Sequence, residues 1–271
     1  MSACINSLIR KAISRSVCLL LSSFLLLSWP TAAGIVDRSK EVEQYTRLIM
    51  SESETLRFAA LKELAWVGLS DQALFELVAA QLQAKLAAKT LENDLLETEL
   101  LMAALSGSGL IQFDLLISQV GEQTKTKQLI AAGELASEAL VRSAQLNPIK
   151  SSDQYVSPQV PFSVAVFLNF IYADELAMKR QAVEIIGADR MTNHHILKAL
   201  ETNISNNYLL ENDTDEWAET YLQMCDVLVY AGGVGYAPLI TDVARNAANA
   251  RLRSDAMGLM RKYELHQKKR L

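Results

Sequence analysis

The segment that decides the fold reads Leu56-Arg57-Phe58-Ala59-Ala60-Leu61-Lys62-Glu63-Leu64-Ala65-Trp66-Val67-Gly68-Leu69-Ser70-Asp71 and runs on to Leu82. In its first half Leu56, Ala59, Ala60, Glu63 and Leu64 recur in steps of one turn, and beyond the break Leu74, Leu77, Val78 and Leu82 do the same. This is the spacing of residues along one face of an α-helix. Between the two runs stands Gly68, where a helix stops and the chain turns. The unit is therefore helix, tight turn, helix, and it cannot cover its own apolar face.

Working outward, the same punctuation returns at Gly107 to Gly109, Asn147-Pro148, Gly187 and Gly232-Gly233. The steps are 39 residues, then 80 with Pro148 standing near the midpoint, then 45. After the breaks the chain repeats one pattern of turn residues followed by an apolar pair, as in Gly109-Leu110-Ile111, in Gly187 through His194-His195-Ile196-Leu197, and in Gly235-Tyr236-Ala237-Pro238-Leu239-Ile240. Strand signals are nearly absent. Helices of about 12 to 16 residues joined by short turns are expected, with Leu77 and Leu228 buried between them.

The quoted segment resembles a HEAT-type repeat: an Arg beside small residues in one helix, a Gly turn, an Asp near the start of the next helix, then Leu-rich packing. Lys179-Arg180-Gln181-Ala182-Val183-Glu184-Ile185-Ile186-Gly187-Ala188-Asp189 is a second good match. Copies near 100–145 and 220–265 lack the Arg-then-Asp pairing, so the resemblance covers about half of the chain after residue 33. A period near 40 suits that family and not the 34 of tetratricopeptide repeats. The resemblance implies an all-α, right-handed alpha-solenoid of about five HEAT-like helix pairs, in which stacked pairs bury a continuous core. A four- or five-helix bundle is the competing architecture, and it usually wants longer helices.

The expected organisation is a signal peptide at 1–33, repeats at 34–147, a Pro-containing loop or hinge at 148–161, and repeats at 162–271 ending in a basic helix. Arg10, Lys11 and Arg15 precede an apolar run from Val17 to Trp29, and Pro30-Thr31-Ala32-Ala33-Gly34 follows, the layout of a secretory signal cleaved between Ala33 and Gly34. An uncleaved anchor is the other reading, although about 20 apolar residues are needed to span a bilayer. Three Pro lie within Asn147 to Pro161, and Asn203 to Asp215 reads as a second, acidic loop. Periplasmic or secreted bacterial localisation follows from the signal.

Composition narrows the function. Half the chain is hydrophobic, 21% is charged, and there are 11 Gly, 5 Pro and 3 Cys, which excludes disordered, collagenous and disulfide-stapled classes. A formal charge of -5 argues against nucleic-acid binding. Past the signal only Cys225 remains, in an apolar helical context that reads as packing and not as a reactive thiol. His194, His195 and His266 match no metal motif, Gly232-Gly233-Val234-Gly235 is a turn, and no phosphate loop or nucleophile elbow is present. The acids from Glu211 to Glu219 read as a helix start and not as a calcium loop. No cofactor or metal is expected.

Charge is unevenly distributed. Residues 244–271 hold eight basic and two acidic side chains, +6, whereas residues 34–243 hold 15 basic and 29 acidic, -14. The basic set Arg251, Arg253, Arg261, Lys262, Lys268, Lys269 and Arg270 reads first as a polar cap on the end of the stack. Its sharper reading is a docking patch for an acidic protein or an anionic membrane. The expectation is a non-catalytic envelope adaptor or scaffold that binds a protein or peptide. An enzyme with a site assembled from dispersed residues and a peripheral membrane binder are the alternatives.

Overall fold

A computed structural model describes residues 37–268 and is all-helical there; apart from an isolated bridge between Ser157 and Val160, no extended pairing occurs among the described residues. Twelve α-helices follow in order: α1 (Ser39–Ile49), α2 (Glu54–Leu64), α3 (Gln72–Ala88), α4 (Leu95–Gly107), α5 (Asp114–Gln123), α6 (Lys127–Lys150), α7 (Phe162–Tyr172), α8 (Leu176–Ala188), α9 (His194–Asn207), α10 (Asp215–Gly232), α11 (Ala237–Asn246) and α12 (Ala250–Lys268). Lengths run from 10 to 24 residues, a wider spread than the periodicity suggests. The signal segment and its expected cleavage point, Ala33-Gly34, lie outside the described residues. Among the described residues no helix is long and apolar enough to cross a membrane.

Local chemistry sets the starts and stops. The carboxylates of Asp71 and Asp94 accept from the backbone N–H of Leu74 at 2.8 Å and Glu97 at 3.0 Å, capping α3 and α4. The side chains of Asn193 and Asn249 cap α9 and α12 in the same way, at 2.9 Å each. Gly68, Gly109 and Gly233 adopt φ of +79°, +67° and +79°, so these expected breaks are turns that need the left-handed region.

Packing follows a simple rule. Each helix lies against its successor or against the helix two places on, giving rows α1–α3–α5 and α2–α4–α6, then α7–α9 and α8–α10–α12. At α6 the alternation slips by one, because α7 packs on the end of α6 itself. Trp66 meets Phe167 of α7 with ring centroids 4.5 Å apart, and Lys62 of α2 forms an ion pair with Asp189 at the end of α8. Leu228 is fully buried, as expected. Leu77 is only half-buried; α3 turns Leu74, Phe75, Val78, Ala79, Leu82 and Leu86 inward instead.

Two loop expectations are corrected. The connection does not begin at Pro148, because α6 continues through it to Lys150. A proline disfavours helix at the residue before it, but Asn147 is held by tertiary bonds: its amide donates to Ser70 Oγ at 3.1 Å and to the carbonyls of Gly107 and Ser108 at 2.9 Å each. The true connection is 151–161, with a tight turn at Ser157-Pro158-Gln159-Val160 closed by Val160 N–H on Ser157 O at 3.0 Å. It is tied down by buried Asn169, whose amide donates to Lys150 O at 2.8 Å and Ser152 O at 2.9 Å.

Losing that tie has a measurable consequence. Asn169→Leu strands two carbonyls, at least one of them buried, and should lower the unfolding free energy in urea by about 1–3 kcal/mol. An unchanged midpoint would mean that the connection is not held through Asn169.

The second correction concerns Asn203 to Asp215. Its first five residues are the end of α9, and only 208–214 is loop. Asn203 is a buried core amide: it donates to Ile171 O and accepts from Tyr221 OH, both at 2.9 Å. A short polar side chain reads as loop in sequence until a buried partner is known.

Candidate functional site: the α8–α10–α12 face

In α10, Glu216, Glu219, Gln223, Asp226 and Tyr230 follow one another in steps of three and four, which places all five on one stripe of the helix. The opposite side of α10, carrying Trp217, Tyr221, Met224, Cys225 and Leu228, is buried. The polar stripe thus faces out, flanked by α8 on one side and α12 on the other.

The two ends of the stripe differ. Near the start of α10, arginines from both flanking helices close over the acids. Arg180 of α8 reaches Glu184 at 3.0 Å and Glu216 at 3.6 Å, while Arg251 of α12 reaches Asp215 at 2.9 Å, Glu219 at 2.6 Å and Asp255 at 3.7 Å. Near the end of α10 the Tyr263 ring of α12 meets Tyr230 edge to face at 6.3 Å, and among the described residues no arginine closes over the stripe there. A groove of about 560 Å³ opens between α10 and the end of α8, lined by Gly187, Arg190, Thr192, Asp226 and Tyr230 among others. A second, of about 490 Å³, opens between α10 and α12, lined by Gln223, Asp226, Tyr230, Asp255, Gly258 and Lys262 among others. Asp226 and Tyr230 form the ridge shared by both.

Glycines help to keep the grooves open. A Cβ on Gly258 would meet nothing within 4 Å, and one on Gly187 would meet only Val227, at 3.5 Å. Arg190 ends α8 at φ +49°, a left-handed conformation uncommon for a residue with a side chain.

Polar groups in the grooves are incompletely paired. Partial desolvation by the groove walls raises the carboxyl pKa of exposed Asp226 above the ordinary value, and Lys262 across the groove pulls it back in part. The side-chain oxygen of Gln223 is buried with no hydrogen-bond partner among the described residues. Such an acceptor costs free energy until a donor reaches it.

The described members of the basic set expected from sequence each have their own surroundings. Arg251 is spent on three carboxylates, and Arg253 donates to the carbonyls of Ala247 and Ala248. Arg261 lies beside the Met257 sulfur at 3.5 Å, and Lys262 lines the groove. The side chain of Lys268 and all of Lys269 and Arg270 lie outside the described residues. The acids Asp215, Glu216 and Glu219 start α10, as the sequence suggests, and are partners of arginines. Among the described residues no group of three His, Cys, Asp or Glu is placed to hold a metal ion.

Cys225 is fully buried and its thiol pKa is pushed up to about 12 by burial, so it packs as an apolar side chain. His194 and His195 sit at the start of α9 with ring centroids 3.8 Å apart. Gln223, Asp226 and Tyr230 were not singled out by motif; their three-and-four spacing in an otherwise apolar helix is the signal that marks them. Comparisons with protein-family models, curated proteins and solved structures return no match.

Proposed function

We propose that this chain is an exported, non-catalytic HEAT-like α-solenoid of the cell envelope that binds a protein or peptide across the α8–α10–α12 face. The packing of most helices against a second neighbour supports stacked helix pairs, and the slip at α6–α7 is where the stack departs from strict alternation. The observation that carries the binding assignment is the open end of the α10 stripe, where the Asp226–Tyr230 ridge stands between two grooves. An extended or helical segment laid there can donate to Asp226 and cover the Tyr230 ring, the mix of polar anchor and aromatic surface that protein interfaces use.

The internal engagement of Arg251 and Arg253 favours the terminal-cap reading of the basic helix over a membrane patch. The test is affinity capture from envelope extracts with the wild-type protein and with Asp226→Lys/Tyr230→Ala. A partner retained by the first and lost by the second is expected. Identical captured sets from both proteins would exclude this face.

A further inference from the structure

A different cavity lies where the connection 151–161 folds back on the end of α7. It measures about 330 Å³, and Ser152, Tyr155, Asn169, Tyr172, Asp174 and Glu175 are among the residues that line it. That volume is at the small end for ligand pockets, which run from about 300 to 1,000 Å³, and suits one side chain. Tyr155 and Tyr172 meet there with ring centroids 5.2 Å apart and planes tilted by 35°, so two aromatic surfaces border one small space.

The charge around the cavity has one sign. Asp174 and Glu175 are exposed carboxylates, and among the described residues no basic side chain lines the cavity. The two nearby lysines are turned to other partners: Lys179 Nζ donates to Ile171 O at 2.8 Å, and Lys198 Nζ donates to Glu201 at 2.8 Å. Lys179 still feels Asp174 and Glu175 and offsets part of their field. Phenol rings present negative faces to a cation, and carboxylates at the rim add Coulomb attraction. An anion would meet repulsion from both, and a neutral apolar group would gain from the rings alone.

We infer that the Tyr155–Tyr172–Asp174–Glu175 pocket binds the ammonium or guanidinium group of a basic side chain on a peptide. Residues 34–243, with 15 basic against 29 acidic side chains, provide a field of the right sign to gather such a peptide. The pocket is formed by the end of α7, the connection that precedes it and the turn to α8 that follows it, apart from the α10 grooves, and adds a recognition element of defined charge.

The test is a titration followed by the ring-proton chemical shifts of Tyr155 and Tyr172. The probes are Nα-acetyl-lysine methylamide, its neutral counterpart Nα-acetyl-norleucine methylamide, and n-butylammonium. The lysine derivative should shift both rings with a dissociation constant on the order of 1 mM, as expected for one partly solvated cation site. It should weaken at least about fivefold in Asp174→Asn/Glu175→Gln, and again at 0.5 M salt, which cuts screening lengths to a few ångströms. Both substitutions are on exposed side chains, and Tyr172→Leu, checked for native helix content, should abolish the Tyr155 shift.

Equal binding of the norleucine derivative, or binding unchanged in the double variant, would overturn the inference. Equal binding of n-butylammonium would overturn the peptide assignment and make the ligand a free amine. Asp226→Lys/Tyr230→Ala should leave this titration unchanged, so failure of the α10 face and failure of this pocket are read separately.

Discussion

Gly107→Ala should cost about 3 kcal/mol or more of unfolding free energy, at the upper end for a single added methyl group. A Cβ at this position would stand 2.3 Å from the carbonyl oxygen of Leu64 and 2.6 Å from Cα and C of Ala65. Those are backbone atoms at the end of α2, and no rotamer change moves them. The ends of α2 and α4 would have to separate, and Trp66 and Val67, buried beside the contact, would lose packing with them. The Gly107 carbonyl would also move away from the Asn147 amide that donates to it at 2.9 Å.

Gly121 supplies the internal comparison. It lies in α5 with nothing within 4 Å of an added Cβ, so Gly121→Ala should stabilise by up to about 1 kcal/mol through helix propensity. Urea midpoints of the two variants should therefore move in opposite directions. A loss at Gly107 no larger than about 1 kcal/mol would show that α2 and α4 do not approach as closely as described.

Lys150→Met should have the opposite sign to Gly107→Ala and raise stability at neutral pH. The Lys150 side chain is 1% exposed, with its Nζ 5.2 Å from the centroid of the Phe170 ring and no carboxylate paired with it among the described residues. Burial, reinforced by the charge of Arg142, pushes its pKa down from 10.5 to about 8. At 1.36 kcal/mol for each pH unit, that displacement corresponds to a penalty of about 3 kcal/mol on the folded protein when the amine is charged. The cation–π contact with Phe170 returns part of it, so a net gain of about 1–3 kcal/mol is expected for the methionine variant.

The pH dependence identifies the cause. Between about pH 8 and 10.5 the unfolded chain holds a proton on Lys150 that the folded chain has released, so the wild type gains stability from this group as pH rises through that window. The advantage of Lys150→Met is therefore full below about pH 8 and fades toward pH 10.5. Cys225 and Tyr221, both pushed up to about 12 by burial, lose stability for the protein over part of the same alkaline range. They are present in both proteins, so the difference between the two denaturation curves isolates Lys150. A difference that does not change with pH would assign the effect to packing instead.

Lys150 and Gly107 belong to one feature. The end of α6 passes so close to two turns that a Cβ on Gly68 would stand 2.5 Å from the Lys150 Cβ, and one on Gly109 would stand 2.7 Å from the backbone of Ala144. The ends of α2, α4 and α6 thus stack almost backbone to backbone, cross-linked by Ser70, Ser108 and Asn147. Glycines at these positions are readable as turns from sequence. That they are also contact points between helices is not, because a turn and a close approach call for the same residue.

Much of the helical content was legible because the signal is local. The apolar rhythm of 56–82 and the glycines at 68, 107–109, 187 and 232–233 locate helix ends, since each depends on residues within one or two turns. Proline failed as a marker at Pro148: Asn147 is held from three directions, which offsets the backbone bond that the proline ring removes. Asn203 failed likewise, as a loop residue by composition and a core amide in the fold. The α10 stripe was half legible. Its spacing is in the sequence, whereas the grooves on either side depend on α8 and α12.

The charge count divides along the same line. The sequence by itself determined an all-helical chain after its first 33 residues, the places of most of its turns, and an acidic body with a basic end, because periodicity, left-handed turns and formal charge are properties of residues and their near neighbours. Only the tertiary structure decided that Arg251 is consumed by acids as far as 36 residues away, that Lys150 is buried with no counter-ion among the described residues, and that Asp226 and Tyr155 border open cavities. Pairing, burial and open space are set by which helices lie side by side, and one helix carries no record of its neighbours beyond the face it turns to them.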